Sequence, residues 1–287
     1  MVLKNDLLEV STKSQGAELT SIKFNGYEYL WSGDTKYWGR QAPVLFPIIG
    51  GLKDGKTYIE NKEYMMGRHG FARDMEFNEV YTSLDKVTYL LKSNNDTLKV
   101  YPYKFDLYIS YELIENRVKV TYQVNNIDDK TIFFSIGAHP AFRCPLNDDE
   151  MFSDYYIEFE RNETQKFIAQ PGGLIKFEDK LVLDNSNVIS LEKIIFKEID
   201  TYIFKNLNSN CVSLKSKDGK RSVSLHFKDF PFFGIWTKPD DAKFLCLEPW
   251  FGVNDEVDSN GVFKDKLGIL SLEKGKDFSC SYEIEVK

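Results

Sequence analysis

The 287-residue chain has little reactive side-chain chemistry: three histidines and four cysteines. The cysteines, Cys144, Cys211, Cys246 and Cys280, stand far apart and form no C-x-x-C pair. That argues against a zinc knuckle or a dithiol redox motif, and reduced thiols in a cytoplasmic protein are the expectation. No apolar stretch approaches the roughly 18 residues of a membrane span. The longest, around Pro43 to Leu52, is broken by two prolines and two glycines. The first ten residues lack the apolar run of a signal peptide, which also points to the cytoplasm. A basic surplus is missing too. Lys and Arg number 37 against 44 Asp and Glu, a formal charge of −7, so neither nucleic acid nor an anionic membrane is expected as a partner. There is no G-x-S-x-G elbow, P-loop or dinucleotide fingerprint. The histidine spacings match no H-x-x-x-H ligand pattern, and no metal or other cofactor is expected.

What the chain has is strand signal. Hydrophobic residues make up 42% and aromatics 15%, enough to fill a large core. Val118-Lys-Val-Thr-Tyr-Gln-Val, Ser222-Val-Ser-Leu-His-Phe and Tyr282-Glu-Ile-Glu-Val alternate apolar and polar residues with period two, the pattern of a strand with one dry face. Leu107 to Leu113, a polar turn at Glu115-Asn116-Arg117, and the run from Val118 read as a hairpin. Helix signals are few. Leu191 to Ile199 suits either a short helix or a strand and loop. Turn pairs recur at Asn25-Gly26, Asp54-Gly55, Pro171-Gly172-Gly173, Asp218-Gly219 and Asn260-Gly261. Many short strands with frequent turns imply a large all-β sandwich or barrel-like fold. No repeat or low-complexity linker divides the chain, so a single domain over residues 1–287 is expected.

Three short loops carry the chemistry. Gly67-Arg-His-Gly-Phe-Ala-Arg73 holds His69, Gly137-Ala-His-Pro-Ala-Phe-Arg143 holds His139, and Cys246-Leu-Glu-Pro-Trp-Phe-Gly252 holds Glu248. Each sets one ionisable group among small, rigid and aromatic neighbours. Two imidazoles and a carboxylate can move protons near neutral pH unaided. His139 and Glu248 each precede a proline. That favours extended geometry and places both at strand rims, because proline cannot donate to a sheet ladder. A plain loop boundary is the structural alternative for both, and a backbone-bonded imidazole is the alternative for His69. His226 falls on the polar face of its strand and reads as solvated or cross-strand paired. Arg40, in Trp38-Gly-Arg-Gln-Ala-Pro43, can clamp hydroxyls or an anion, or can form a surface ion pair. Trp236 and Trp250 offer flat faces suited to a sugar ring, with core packing as the alternative.

Taken together, these residues resemble the aldose 1-epimerase (galactose mutarotase) superfamily, most closely its LacX-like branch. The resemblance runs through Arg40-Gln-Ala-Pro-Val-Leu-Phe-Pro-Ile-Ile-Gly, Arg68-His-Gly-Phe-Ala-Arg, Tyr101-Pro-Tyr-Lys-Phe, Gly137-Ala-His-Pro-Ala-Phe and Cys246-Leu-Glu-Pro-Trp-Phe-Gly, in that order. It implies a galactose mutarotase-like β-supersandwich with few short helices and an open cleft across a large sheet. It also implies cofactor-free interconversion of the α and β anomers of a hexopyranose. By resemblance Glu248 takes the proton of the anomeric hydroxyl and His139 protonates the ring oxygen. His69, Arg40 and, through a looser match, Asp200 would hold sugar oxygens.

Unperturbed pKa values of about 4.3 and 6.5 suit Glu and His to these roles. Two other functions compete. A hexose-6-phosphate 1-epimerase would use Arg68, Arg73 or Arg143 for the phosphate. A carbohydrate-binding protein would keep the cleft without useful catalysis. Arg73 and Trp236 are expected to contact substrate in the enzyme readings.

Overall fold

The computed structural model describes residues 1–217 and 219–287, so Asp218 of the Asp218-Gly219 turn lies outside the described residues. Two antiparallel sheets dominate. The larger has nine strands, in the order 176–190, 155–169, 211–216, 222–226, 277–286, 117–126, 105–114, 86–92 and 78–82. The smaller has the order 201–205, 232–236, 244–251, 136–138 and 44–45, with 141–143 also paired to 244–251. Residues 2–4, 8–12, 19–24 and 27–28 form a four-stranded sheet. The architecture is a β-supersandwich; neither large sheet closes into a barrel.

The alternation in the sequence sets the sandwich. Phe105, Leu107, Ile109, Tyr111 and Leu113 are buried on one strand, and Val118, Val120, Tyr122 and Val124 on its neighbour, while the residues between them are partly exposed. The strands Phe105–Ile114 and Arg117–Asn126 are in continuous register, and Glu115 turns with φ 53°. Against this face pack residues of the smaller sheet and its flanks. Phe46 meets Phe105 at 5.0 Å between ring centroids, Phe159 meets Phe204 at 5.4 Å, and Phe227 meets Phe233 at 4.3 Å. A fully buried aromatic or aliphatic side chain contributes about 1.5–3 kcal/mol of transfer free energy. One buried cluster runs from Leu3 to Val286.

Two readings of the sequence resolve here. The segment left as helix or strand is a short helix, Lys193–Ile199, with Phe196 buried. The strand-rim placement of Glu248 needs correction: it lies inside Phe244–Phe251, a central strand, opposite Gly234. Pro249 is tolerated there because of what lies beside it. The Leu247 N–H points to Pro140 O at 3.3 Å, and amides two residues apart point the same way. Position 249 therefore comes opposite Ala138, at the edge of the interruption at His139-Pro140, and the Ala138 carbonyl accepts from the Trp250 indole instead. A missing N–H costs no ladder bond at that point.

Candidate functional site

Period two divides the smaller sheet into a core face and a cleft face. Tyr202, Phe204, Phe233, Ile235, Leu245 and Leu247 enter the main core. Ile203, Trp236, Glu248 and Trp250 line the other side, where a cavity of about 330 Å³ opens. Its remaining walls are Trp38, Arg68, His69, Arg73, His139, Gln170, Asp200, Thr201 and Asn254. Residues spread from 38 to 254 thus converge on one chamber.

Trp250 lies flat across the sheet because both neighbouring strands present glycine to it. A Cβ on Gly137 would come within 2.7 Å of Trp250 Cδ1, and one on Gly234 within 2.6 Å of Cη2. The indole N–H donates to Ala138 O at 3.2 Å. Trp38 stacks on His139 with centroids 4.9 Å apart, and Trp236 meets the same imidazole edge-on at 5.5 Å. His139 is thereby held between two indoles, with Nδ1 3.3 Å from Glu248 Oε2.

Both members of this pair are buried, and neither facing atom has a hydrogen-bond partner. Burial pushes the Glu248 carboxyl well above its ordinary range, opposed by the Arg68 charge and aided by Asp200. Burial, then the Arg73 and Arg68 charges, lowers His139 to about 3. Proximity alone favours an ion pair, but desolvation outweighs it, and it outweighs the Trp250 hydrogen bond at Glu248 and the backbone hydrogen bond at His139 as well. Both shifts favour the uncharged forms, a protonated Glu248 beside a neutral His139.

His69 takes left-handed backbone geometry, φ 68°, and is doubly tied to Gly50. Its N–H donates to Gly50 O at 2.9 Å, and its Nδ1 accepts from Gly50 N–H at 3.1 Å. Burial, His139 and Arg68 keep it neutral, and a neutral imidazole has a single acceptor nitrogen. Nε2 therefore carries hydrogen, and the Arg68 Nε contact at 3.3 Å brings two donors together. An oxygen acceptor entering the cavity would satisfy both. The backbone-bonded role and the cavity-facing role of His69 thus coexist.

The remaining residues singled out from sequence divide. Asp200 lines the cavity at the end of the short helix, with φ 61° and ψ −77°, a costly conformation for a non-glycine residue. Arg73 lines it as well. Its Nη2 donates to Arg68 O at 2.7 Å, and its Nε is buried without a hydrogen-bond partner. Arg40 is not among the lining residues. It pairs with Asp74 at 2.7 Å, and its charge still lowers both site histidines. Arg143 is not among the lining residues; it is bound to Asp148 at 2.7 Å and lies over the Tyr27 ring. His226 faces outward on the large sheet and meets Glu285 at 3.0 Å. Trp38, Gln170, Thr201 and Asn254 were not singled out. Trp38 stood two residues from Arg40, and only the fold reveals its stacking. His139, Cys246 and Glu248 each bring a potential metal-ligand atom within 4.8 Å of the others, a grouping that spacing along the chain did not suggest.

The fold and this chamber define a protein of the galactose mutarotase-like class. The chain belongs to the aldose 1-epimerase family, whose model matches residues 1–267. Among its relatives, the plasmid and chromosomal forms of Protein LacX from Lactococcus lactis subsp. lactis are 34% and 35% identical, each over 99% of this chain and 98% of their own. Similar solved structures include a galactose mutarotase related enzyme from Lactobacillus acidophilus, with TM-score 0.95, 32% identity, and coverage of 100% of this chain and 97% of that one. A galactose mutarotase-like protein from Lactobacillus casei ATCC 334 matches with TM-score 0.93 and 30% identity, over 100% and 99%.

Proposed function

We propose that the protein is a cytoplasmic aldose 1-epimerase that interconverts the α and β anomers of a free hexopyranose, acting as one domain over residues 1–287. The observation that carries this reading is the Glu248–His139 pair, 3.3 Å apart at the base of a cavity walled by indoles and hydroxyl-binding groups. Support for the single domain comes from the spread of cavity residues along the chain. All four cysteines are unpaired, in keeping with a reducing compartment.

In the proposed reaction a pyranose lies against Trp236 and Trp250. Its hydroxyls bond to the His69 Nε2–H, Arg68 and Asp200. These contacts bring hydrogen bonds into a dry site and make the charged arrangement accessible: the shared proton moves from Glu248 to His139 without any change in net charge. The Glu248 carboxylate takes the proton of the C1 hydroxyl while the His139 imidazolium protonates the ring oxygen. The C1–O5 bond breaks and the aldehyde forms. Rotation about C1–C2 and closure with the roles exchanged give the other anomer, and both groups return to their starting states. NMR exchange spectroscopy on free hexoses tests this. Exchange above the buffer rate that depends on Glu248 supports it, and sugar binding with exchange at the buffer rate means a binding protein instead.

One observation favours a second reading, a hexose-6-phosphate 1-epimerase. Among the described residues no carboxylate lies within 4.0 Å of the Arg68 guanidinium, and Arg73 Nε is buried without a hydrogen-bond acceptor, 3.8 Å from the exposed Asp74 carboxylate. Two guanidinium groups lining one cavity suit a phosphate, despite the net charge of −7. Comparison of kcat/KM for free and 6-phosphorylated sugars at low and high salt separates the two readings.

A further inference from the structure

The wall behind the Glu248–His139 pair holds a side chain that the proposed reaction does not use. Cys246 stands two residues before Glu248 on the same strand, so it faces the same side of the sheet. Its sulfur, a nitrogen of His139 and an oxygen of Glu248 all lie within 4.8 Å of one another. The three residues are 0%, 7% and 1% exposed. His139 Nδ1 and Glu248 Oε2 have no hydrogen-bond partner, and buried polar atoms are seldom left so.

Their spacing has a further meaning. Bonds of about 2.0–2.1 Å from a tetrahedral zinc ion to nitrogen and oxygen set those two donors about 3.3 Å apart. The separation here is 3.3 Å. With a zinc–sulfur bond of about 2.3 Å, the sulfur must close to about 3.6 Å from either donor, a shift that side-chain rotation can supply. A thiolate, an imidazole and a carboxylate make a donor set for zinc-like ions rather than magnesium or calcium. His139 and Glu248 line the cavity, which provides the route of entry.

We propose that His139, Cys246 and Glu248 form an inhibitory site for a thiophilic divalent cation, Zn²⁺ or Cd²⁺. The ion occupies the lone pairs that the sugar reaction needs and so competes with substrate. The inhibitory consequence rests on the proposed epimerase activity; the binding site itself does not.

The test uses the purified, metal-stripped full chain. Co²⁺ is titrated in and followed by absorption, and anomer exchange is measured in parallel over a Zn²⁺ series. The wild type is expected to show the thiolate-to-cobalt charge-transfer band and loss of exchange that a chelator reverses. Cys246→Ala is expected to lose the band, keep the metal-free rate, and need at least tenfold more Zn²⁺ for half inhibition. Cys246→Ser is the second variant if the alanine protein melts early. Absence of a thiolate band in the wild type, or equal zinc sensitivity in wild type and variant, overturns the proposal. A Cys246-dependent band in a protein with no anomer exchange under metal-free conditions supports the binding site, while it removes both the epimerase reading and the inhibitory role.

Discussion

Replacing Glu248 by glutamine should stabilise the protein at high pH while removing most of its activity. The unfolded chain titrates Glu248 at 4.5 and His139 at 6.5, whereas the folded protein raises the first and lowers the second to about 3. From pH 4.5 upward, as long as the folded Glu248 and the unfolded His139 keep their protons, both pairs hold one proton and the pair adds no slope to stability. Once the unfolded His139 has lost its proton, a proton retained by the folded pair costs stability, which falls as pH rises toward the elevated Glu248 value. Below 4.5 the unfolded pair holds two protons and the folded one holds one, so stability falls as pH drops toward about 3. Glu248→Gln removes the carboxyl from this count. Relative to wild type, the variant should gain about 1.4 kcal/mol per pH unit from 4.5 up to the folded Glu248 pKa. Denaturant unfolding of both proteins from about pH 5 to about pH 8 reads the difference directly, because titrations common to both cancel. Loss of a general base should lower the rate by roughly 10²–10⁴-fold, with sugar binding retained. A stability difference that stays constant across this range refutes the dry, singly protonated pair. Near wild-type turnover in the same variant removes Glu248 as the base.

Other perturbations separate the site from its surroundings. His139→Ala should lose activity in the same roughly 10²–10⁴-fold range, while His226→Ala, on the outer sheet face beside Glu285, should leave exchange rates unchanged; equal losses would mean the wrong histidine faces the sugar. Arg73→Ala should weaken turnover of a phosphorylated sugar much more than that of a free one if phosphate binds at Arg68 and Arg73, and Arg143→Ala should affect neither; a tenfold preference for the phosphate ester, about 1.4 kcal/mol, would replace the free-hexose reading. Exhaustive EDTA dialysis should leave anomer exchange undiminished, and a loss restored by one particular divalent ion would overturn the cofactor-free reaction.

The strands that alternate strictly were legible in the sequence, the hairpin of Phe105–Ile114 and Arg117–Asn126 above all, because one face is dry and the other wet. The 15-residue strands Tyr155–Ala169 and Lys176–Ser190 were not, since their register shifts at several points and much of their surface is exposed. Glu163, buried at one of these shifts, accepts from the Ser209 amide at 2.8 Å and its hydroxyl at 2.7 Å, a partnership across 46 residues that no local pattern encodes. At the site, His69, His139 and Glu248 stood out because each is an ionisable residue among small, rigid and aromatic neighbours. Their assembly was legible only through family resemblance. Trp38 escaped notice because its contribution is a stacking geometry. The rim placement of Glu248 failed because the rule for proline supposes an unbroken neighbouring ladder, and here the neighbour is interrupted at His139.

Three of the chain's four tryptophans, Trp38, Trp236 and Trp250, wall the cavity, and the fourth, Trp31, donates its indole N–H to Trp38 O at 2.9 Å. The molecule's tryptophan emission therefore originates at or beside one chamber. Trp38 also stacks, with centroids 4.9 Å apart, on His139, whose imidazolium quenches an adjacent indole and whose neutral form quenches far less. The protein is thus its own optical probe. A saccharide that displaces solvent from the indole faces alters the wavelength of emission, and a proton arriving on His139 alters its intensity. Occupancy and protonation of the same pocket become two separable signals in a single unlabelled sample.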